Sequence, residues 1–322
     1  MGTASGHDLH IDQNLTNVAI NYRPGNLIAD MIAPIVPVGK QSDYYPVWSQ
    51  ADILRVETAL RAPGTEANKI TRSVSSGAYY AENYALKTML TLEDRENMDA
   101  AYVNELRNGR ATFLVGKMGL VWESRVANQV TSTSNIGSST AVASAWTDYN
   151  AGNSTPVEMM FTGIDVVQDT TGYRPNSILF SGQAWRNFRR HDDVISLLHG
   201  DTGTGSPRIV SRQQVAALFE VDRLLVGEAY INTAAEGQSQ TLVPVWGDHV
   251  LIYYAPSAPS IEEPSFMYSF RWSRPGLPNM TVERHPFDAK IKAEEVELGV
   301  YQDEVITSKP LSYLITNVTS SS

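Results

Sequence analysis

The sequence predicts an α+β fold, on three observations. A helical periodicity runs from Glu93 to Val130, helix and strand signals alternate from Pro156 to Tyr254, and the C-terminal portion is mostly strand. With 322 residues, 42% hydrophobic and 19% charged, the chain can bury a full core in one large domain or two of ordinary size.

The elements follow in order. Residues 17–38 form a low-charge tract in which Pro24, Pro34 and Pro37 remove backbone donors, yet Ile20, Tyr22, Leu27, Ile28, Met31, Ile32, Ile35, Val36 and Val38 must leave water. Such a segment is expected to be an arm that packs on something else. Gly39 to Trp48, with Tyr44, Tyr45 and Val47, favours a strand. Asp52 to Tyr84 reads as a long excursion with short strand-like pieces around Arg61-Ala-Pro-Gly-Thr-Glu66, and has too few large aliphatics for a core of its own. Thr91-Leu-Glu-Asp94 resembles a capping box and opens the helical signal. Val103, Leu106, Phe113, Leu114, Met118 and Val121 share one face of a helix on the order of 55 Å long, which Gly109, Gly116 and Gly119 could kink.

Beyond a polar tract, Thr131 to Ala145, the pattern predicts a helix at Pro156 to Thr170, a strand at Ser177 to Phe180 and a helix from Gln183 towards Leu198. A Gly-rich loop, His199 to Pro207, precedes a helix near Arg212 to Phe219 and strands at Arg223 to Val226 and Trp246 to Tyr254. Strands at Met280 to Arg284, Lys290 to Tyr301 and Leu311 to Val318 complete the chain.

Composition excludes several classes of function. There is no cysteine, so disulfides, thiolate zinc sites and cysteine nucleophiles are ruled out. Net charge −10 offers no broad basic surface for wrapping nucleic acid. No apolar run approaches the roughly 20 residues that span a bilayer, and the N-terminus lacks a secretory pattern, so no membrane partner is expected and the sequons at Asn14, Asn153, Asn279 and Asn317 carry no weight.

Candidate chemistry is thin. Asp201-Thr-Gly203 matches the short signature of aspartic proteases, but Gly200 and Gly205-Ser-Pro207 around it read as a loop rather than an apolar strand feeding a catalytic dyad. His7 and His10 could pair on a metal, although solvated side chains are the simpler reading. Asp192-Asp193, Glu262-Glu263 and Glu294-Glu295-Glu297 could hold Mg²⁺, whereas alternation through Glu295 to Val300 suits a strand with one wet face. No phosphate-binding Gly-rich motif, nucleophile elbow or dinucleotide fingerprint is present. The expectation is no enzyme, no catalytic, cofactor-binding or metal residues, and no cofactor.

The order of segments resembles the major capsid proteins of tailed bacteriophages, with their Hong Kong 97-type (HK97) fold. Tyr22-Arg-Pro-Gly-Asn-Leu-Ile-Ala-Asp30 with Ile35-Val-Pro-Val38 resembles the arm of one group of these proteins. Asn176-Ser-Ile-Leu-Phe-Ser-Gly182 with Trp185 and His191-Asp-Asp-Val194, then Val215 to Ala229 and Trp246 to Tyr253, resemble the axial domain; Met280-Thr-Val-Glu283 and Glu295 to Tyr301 are similar to the peripheral strands. Each motif is weak alone, and their order carries the match.

The resemblance implies an N-terminal arm at 1–50, an extended β-hairpin loop at 51–90, a long spine helix and peripheral domain at 91–175, an axial domain at 176–276, peripheral strands at 277–303 and a C-terminal return to the axial domain at 304–322. It implies self-assembly into hexamers and pentamers of an icosahedral head that encloses double-stranded DNA without sequence-specific binding, in a virion assembled in the host cytoplasm. The implied intersubunit contacts are Tyr22, Arg23, Pro24, Leu27, Ile28, Trp48, Arg61 and Lys69. Lys69 is the one lysine considered for the covalent Lys–Asn link of some members, and no Asn and Glu partners are identifiable. A chain beginning almost at the arm implies a separate scaffolding protein, beside a portal protein, and a cementing protein stays open. An encapsulin-like nanocompartment shell is the alternative within the fold, and a soluble hydrolase using Asp201 is the alternative outside it.

Overall fold

Two five-stranded sheets joined by one long helix organise the chain. The computed structural model describes residues 15–16, 19, 27–48, 54–57, 59–71, 73–97, 102–150, 152, 154–199, 210–274 and 280–319. In chain order the elements are α1 (Ala29–Ile32), β1 (Ile35–Val38), β2 (Ser42–Trp48), β3 (Val74–Tyr80), β4 (Glu82–Thr91), α2 (Leu92–Glu96) and α3 (Val103–Val130). Then come β5 (Ser138–Ala141), α4 (Pro156–Thr171), β6 (Ser177–Ser181), α5 (Gly182–Phe188), α6 (Asp192–His199), α7 (Arg212–Phe219) and β7 (Arg223–Gly227). The remainder is strand: β8 (Tyr230–Asn232), β9 (Leu242–Pro244), β10 (Val250–Tyr253), β11 (Met267–Trp272), β12 (Met280–Asp288), β13 (Ala293–Ile306) and β14 (Ser312–Thr316).

The first sheet is built on β13, whose alternating burial is that of a strand with one wet face. β11 and β12 lie antiparallel to it, β4 pairs with it along Glu82 to Thr91, and β1 joins β11 in parallel. Val282, Val296, Leu298 and Val300 pack under Ala111, Leu114, Val115 and Met118 of α3, together with Leu15 and Ala19. The second sheet runs β5-β14-β10-β6-β7, with β6 parallel to β7 and antiparallel to β10. Its central strands are apolar without alternation because both faces are covered. Ile178, Phe180, Val250 and Ile252 face the helical side with Met160, Phe188 and Phe219, while Leu179, Leu251 and Leu314 face Val126, Ala127 and Val130 at the end of α3.

α3 thus enters one core with its first half and another with its second. At 1.5 Å per residue its 28 residues span about 42 Å. The expected inward face is only partly correct: Leu114 and Met118 are buried, whereas Phe113 and Val121 are exposed. A change of partner along the helix rotates the buried stripe, which a single helical wheel does not capture. α2 and α3 are separate elements around residues 98–101, which lie outside the described residues. Added Cβ atoms at Gly109 and Gly116 would meet nothing among the described residues, so neither glycine marks a close backbone approach there.

Other expectations are corrected. The helix towards Leu198 breaks into α5 and α6 at Arg189 to His191, where His191 turns its side chain back onto the chain. Trp246 lies in a turn before β10 rather than in a strand. Two helix signals hold: α4 begins with Pro156 at its first turn and stops at Gly172, whose φ of 73° suits a residue without Cβ, and α7 spans Arg212–Phe219 as expected.

Candidate assembly surfaces

The arm tract has a home within its own chain. Ile28, Ala29 and Ile32 are buried against Val126, Ala127 and Val130 of α3 and Phe266 and Met267, while Val36 and Val38 pack with Tyr268 and Phe270. The expectation that all of 17–38 packs on another molecule is therefore corrected for 28–38, because β1 finds parallel register with β11 at Ile35 opposite Ser269. Prolines tolerated only at sheet edges fit Pro37 on this four-residue edge strand.

One carboxylate fixes that docking. Glu123 is fully buried on α3, midway between the two cores. Its Oε2 accepts from the backbone N–H of Ile28 at 2.9 Å and Ala29 at 2.7 Å, and its Oε1 from the indole N–H of Trp246 at 2.7 Å. α1 has no side-chain cap of its own, so a carboxylate from another helix satisfies its first donors and sits at the positive end of its dipole. Burial pushes the Glu123 carboxyl up from its ordinary range, and the three hydrogen bonds oppose that shift without cancelling it.

Two further charged junctions tie α3 to the first sheet. Glu294, buried on β13, takes Arg107 of α3 through two hydrogen bonds at 3.1 and 3.0 Å and also pairs with Arg284 of β12. Burial opposes ionisation there, but the two guanidiniums outweigh it and hold the carboxyl below its ordinary value. Arg125 pairs with Glu304 at 2.7 Å and lies 3.4 Å over the Tyr84 ring, while Arg271 bonds Gln302, which bonds Glu304. Burial pushes Arg271 down to about 10 and raises Glu304, with Arg125 opposing the latter.

The β2–β3 hairpin stands on an aromatic root. Tyr79 stacks on Phe270 at 4.7 Å and Tyr45 lies at 5.3 Å from the same ring. Gly77, opposite Tyr45 in the ladder, has no room for a Cβ beneath that ring. Beyond the hairpin, residues 59–71 are exposed throughout, turning at Ala62 to Thr65 where the Thr65 N–H donates to Ala62 O. Val56, Leu60 and Ile70 are 95%, 91% and 69% exposed.

The expected contact residues fall into three groups. Tyr22, Arg23 and Pro24 lie outside the described residues, as do His7, His10 and Asp201. Leu27 is half-buried and Ile28 belongs to the chain's own core. Trp48 closes β2 opposite Val74, Arg61 folds its Nε onto Thr65 O at the loop turn, and Lys69 is exposed on the same loop. The paired carboxylates have structural partners: Asp193 accepts from Val157 N at the start of α4, Glu295 pairs with Lys87 and Glu297 with His285. Among the described residues no cluster of three or more metal-ligating side chains occurs, and no helix is long and apolar enough to cross a membrane. Glu123, Arg125, Arg271 and Glu304 escaped the sequence reading; a carboxylate between Met118 and Val126 on an inward helix face was the available signal.

No family model matches the chain. The major capsid protein of Pseudomonas phage JBD67 is 28% identical over 245 residues, 76% of this chain and 77% of that one. That of Burkholderia phage BcepMu is 23% identical over 269 residues, 81% and 83% respectively. A phage-related protein from Bordetella bronchiseptica RB50 superposes with a TM-score of 0.74 at 22% identity, over 98% of this chain and 99% of that one. The mature capsid of bacteriophage PhiM1 does so with 0.55 at 10% identity, over 98% and 92%. The long helix, the projecting hairpin and the two sheets are the architecture of the Hong Kong 97-type shell proteins. Its sequence relatives are phage major capsid proteins, and with this fold they support a capsid-forming protein.

Proposed function

We propose that the chain assembles as hexamers and pentamers into an icosahedral phage head enclosing double-stranded DNA. In this reading α3 is the spine helix, the sheet around β13 is the peripheral domain, and the sheet around β10 with its helices is the axial domain. The β2–β3 hairpin and the residues beyond it form the extended loop that lies across a neighbouring copy. The role is structural rather than catalytic.

The observation that carries the proposal is the loop itself. Val56, Leu60 and Ile70 stand in water in the single chain, on a segment whose Leu54 side chain lies against Gly172 at the end of α4 and which leads into the paired β2–β3 hairpin. Three such side chains leave burial worth about 1.5–3 kcal/mol each ungained until a neighbour covers them. Leu27, Trp48, Arg61 and Lys69, with Tyr22 to Pro24, are the proposed contact residues. A net charge of −10 per copy favours a shell that surrounds DNA packed by a motor over one that coats it tightly. Scaffolding and portal proteins are the further partners, and assembly takes place in the host cytoplasm.

Replacing Val56, Leu60 and Ile70 together by Ser tests the proposal. The variant is expected to keep the melting temperature of the isolated chain within about 2 °C, because surface positions contribute little to monomer stability, and to form no shells by electron microscopy. Normal shells from that variant would remove the loop from the assembly mechanism.

A further inference from the structure

The edges of the first sheet are guarded unequally. β12 is blunted three times: its Val282 N–H donates to Thr16 Oγ1 at 3.1 Å, Pro286 lacks a donor, and its register shifts between His285 and Asp288. β1, at the opposite edge, has four residues and contains Pro37. β4 has ten residues without proline, pairs in unbroken register with β13 from Glu82 to Thr91, and among the described residues meets no strand on its other side. Its one lysine, Lys87, is already engaged with Glu295 across the sheet face, and Met89 at its far end is exposed. Unpaired strand edges of this length recruit other strands unless a protein blocks them.

We propose that the free edge of β4 receives residues 66–71 of a second copy of this chain as an added strand. The inference rests on the capsid reading above. The donor segment, Glu66-Ala-Asn-Lys-Ile-Thr71, is exposed and lies outside any strand of its own copy. It cannot lie along its own β4, because the seven residues of β3, about 23 Å of extended chain, stand between the two while the β2–β3 ladder is intact. A neighbouring copy meets no such restriction. Main-chain hydrogen bonds would supply the affinity, and Ile70 and Met89 are apolar side chains available for cover along the joined edge.

The absence of cysteine makes this testable by cross-linking. Ala85→Cys, on the exposed face of β4, is combined in turn with Ala67→Cys, Lys69→Cys and Ile70→Cys to sample successive registers. Particles oxidised and run on a denaturing gel without reductant are expected to give ladders of linked chains from at least one pair, about tenfold above the single-cysteine controls, since disulfides need Cα atoms within about 7 Å. Particles that assemble with no pair linking above the controls overturn the edge assignment alone. An unsubstituted chain that forms no particles overturns the capsid reading and this inference with it. Should the cysteine variants fail to assemble, amide exchange of the unsubstituted chain decides: residues 82–91 are expected to exchange about tenfold more slowly in particles than in free subunits, and equal rates overturn the proposal.

Discussion

The indole N–H of Trp246 donates to the buried carboxylate of Glu123 at 2.7 Å, joining the turn before β10 to the long helix 123 residues earlier in the chain. The other oxygen of the same carboxylate accepts from the amides of Ile28, just before α1, and Ala29, its first residue. Three segments distant in sequence therefore meet on one side chain.

Removing that side chain strands three buried donors. Glu123→Ala is expected to destabilise the isolated chain by at least about 3 kcal/mol, since each orphaned buried group costs about 1–3 kcal/mol. Trp246→Phe, which removes one donor and some packing, is expected to cost less. Urea unfolding of the subunits measures both, and equal stability of Glu123→Ala and the parent chain would contradict the assignment.

Glu294 anchors α3 to β12 and β13 through Arg107 and Arg284. Its folded carboxyl lies below the unfolded value of 4.5, so its stabilisation is complete above that value and is lost as pH falls through the folded value. Glu294→Ala is expected to cost about 2–3 kcal/mol at pH 7, less than a fully buried pair because Arg284 is part-exposed. In thermal melts below pH 4.5 the variant should lose less stability with acid than the parent chain, and equal losses would contradict the role.

His191 behaves oppositely in charge but alike in direction. Its Nδ1 accepts from Asp193 N at 3.2 Å at the start of α6, and burial holds its pKa below the ordinary 6.5 despite the neighbouring acids Asp193, Asp192 and Asp148. A depressed histidine binds its proton more readily unfolded, so stability is complete above pH 6.5 and falls as pH drops through 6.5 towards the folded value. His191→Asn keeps an acceptor suited to a helix start and removes the titration. Melting temperatures at pH 7.5 and 5.5 should differ less in the variant; identical slopes would contradict the role.

Gly77→Ala places a methyl group under the Tyr45 ring at the root of the hairpin. The expected result is a local loss of order, seen as faster amide exchange in residues 42–48 and 74–80, with the two main cores unaffected. Unchanged exchange in the hairpin would show that the root tolerates the added carbon.

Much of the fold was legible in the sequence because its signals are local. Pro156 and Gly172 bound a helix by their backbone preferences, and alternation from Glu295 to Val300 marked a strand with one wet face. The arm departs from expectation at residues 28–38 because its partners, Glu123, Val126 and Phe270, lie far along the chain and leave no trace in the arm itself. β11 was missed because Ser269 and Arg271 interrupt its apolar pattern; Ser269 is buried in the sheet and Arg271 finds Gln302. Residue pattern alone marks Asp52 to Tyr84 only as an excursion with short strand-like pieces, because the Ser- and Gly-rich strand β3 is stabilised by Tyr45, Tyr79 and Phe270 at the root rather than by aliphatic content. Of the expected contact residues, Arg61 and Lys69 lie exposed on the loop, whereas the buried carboxylate that fixes the arm is a single residue within a helix.

Cryo-electron microscopy of the unsubstituted chain, expressed alone and with a scaffolding protein, shows whether the loop crosses to another copy. Closed shells built of hexamers and pentamers are expected, with residues 59–71 of each copy traced across its neighbour and the strand around Lys87 paired on both edges. A monodisperse monomer under all assembly conditions, or shells in which that loop folds back on its own copy, would contradict that expectation.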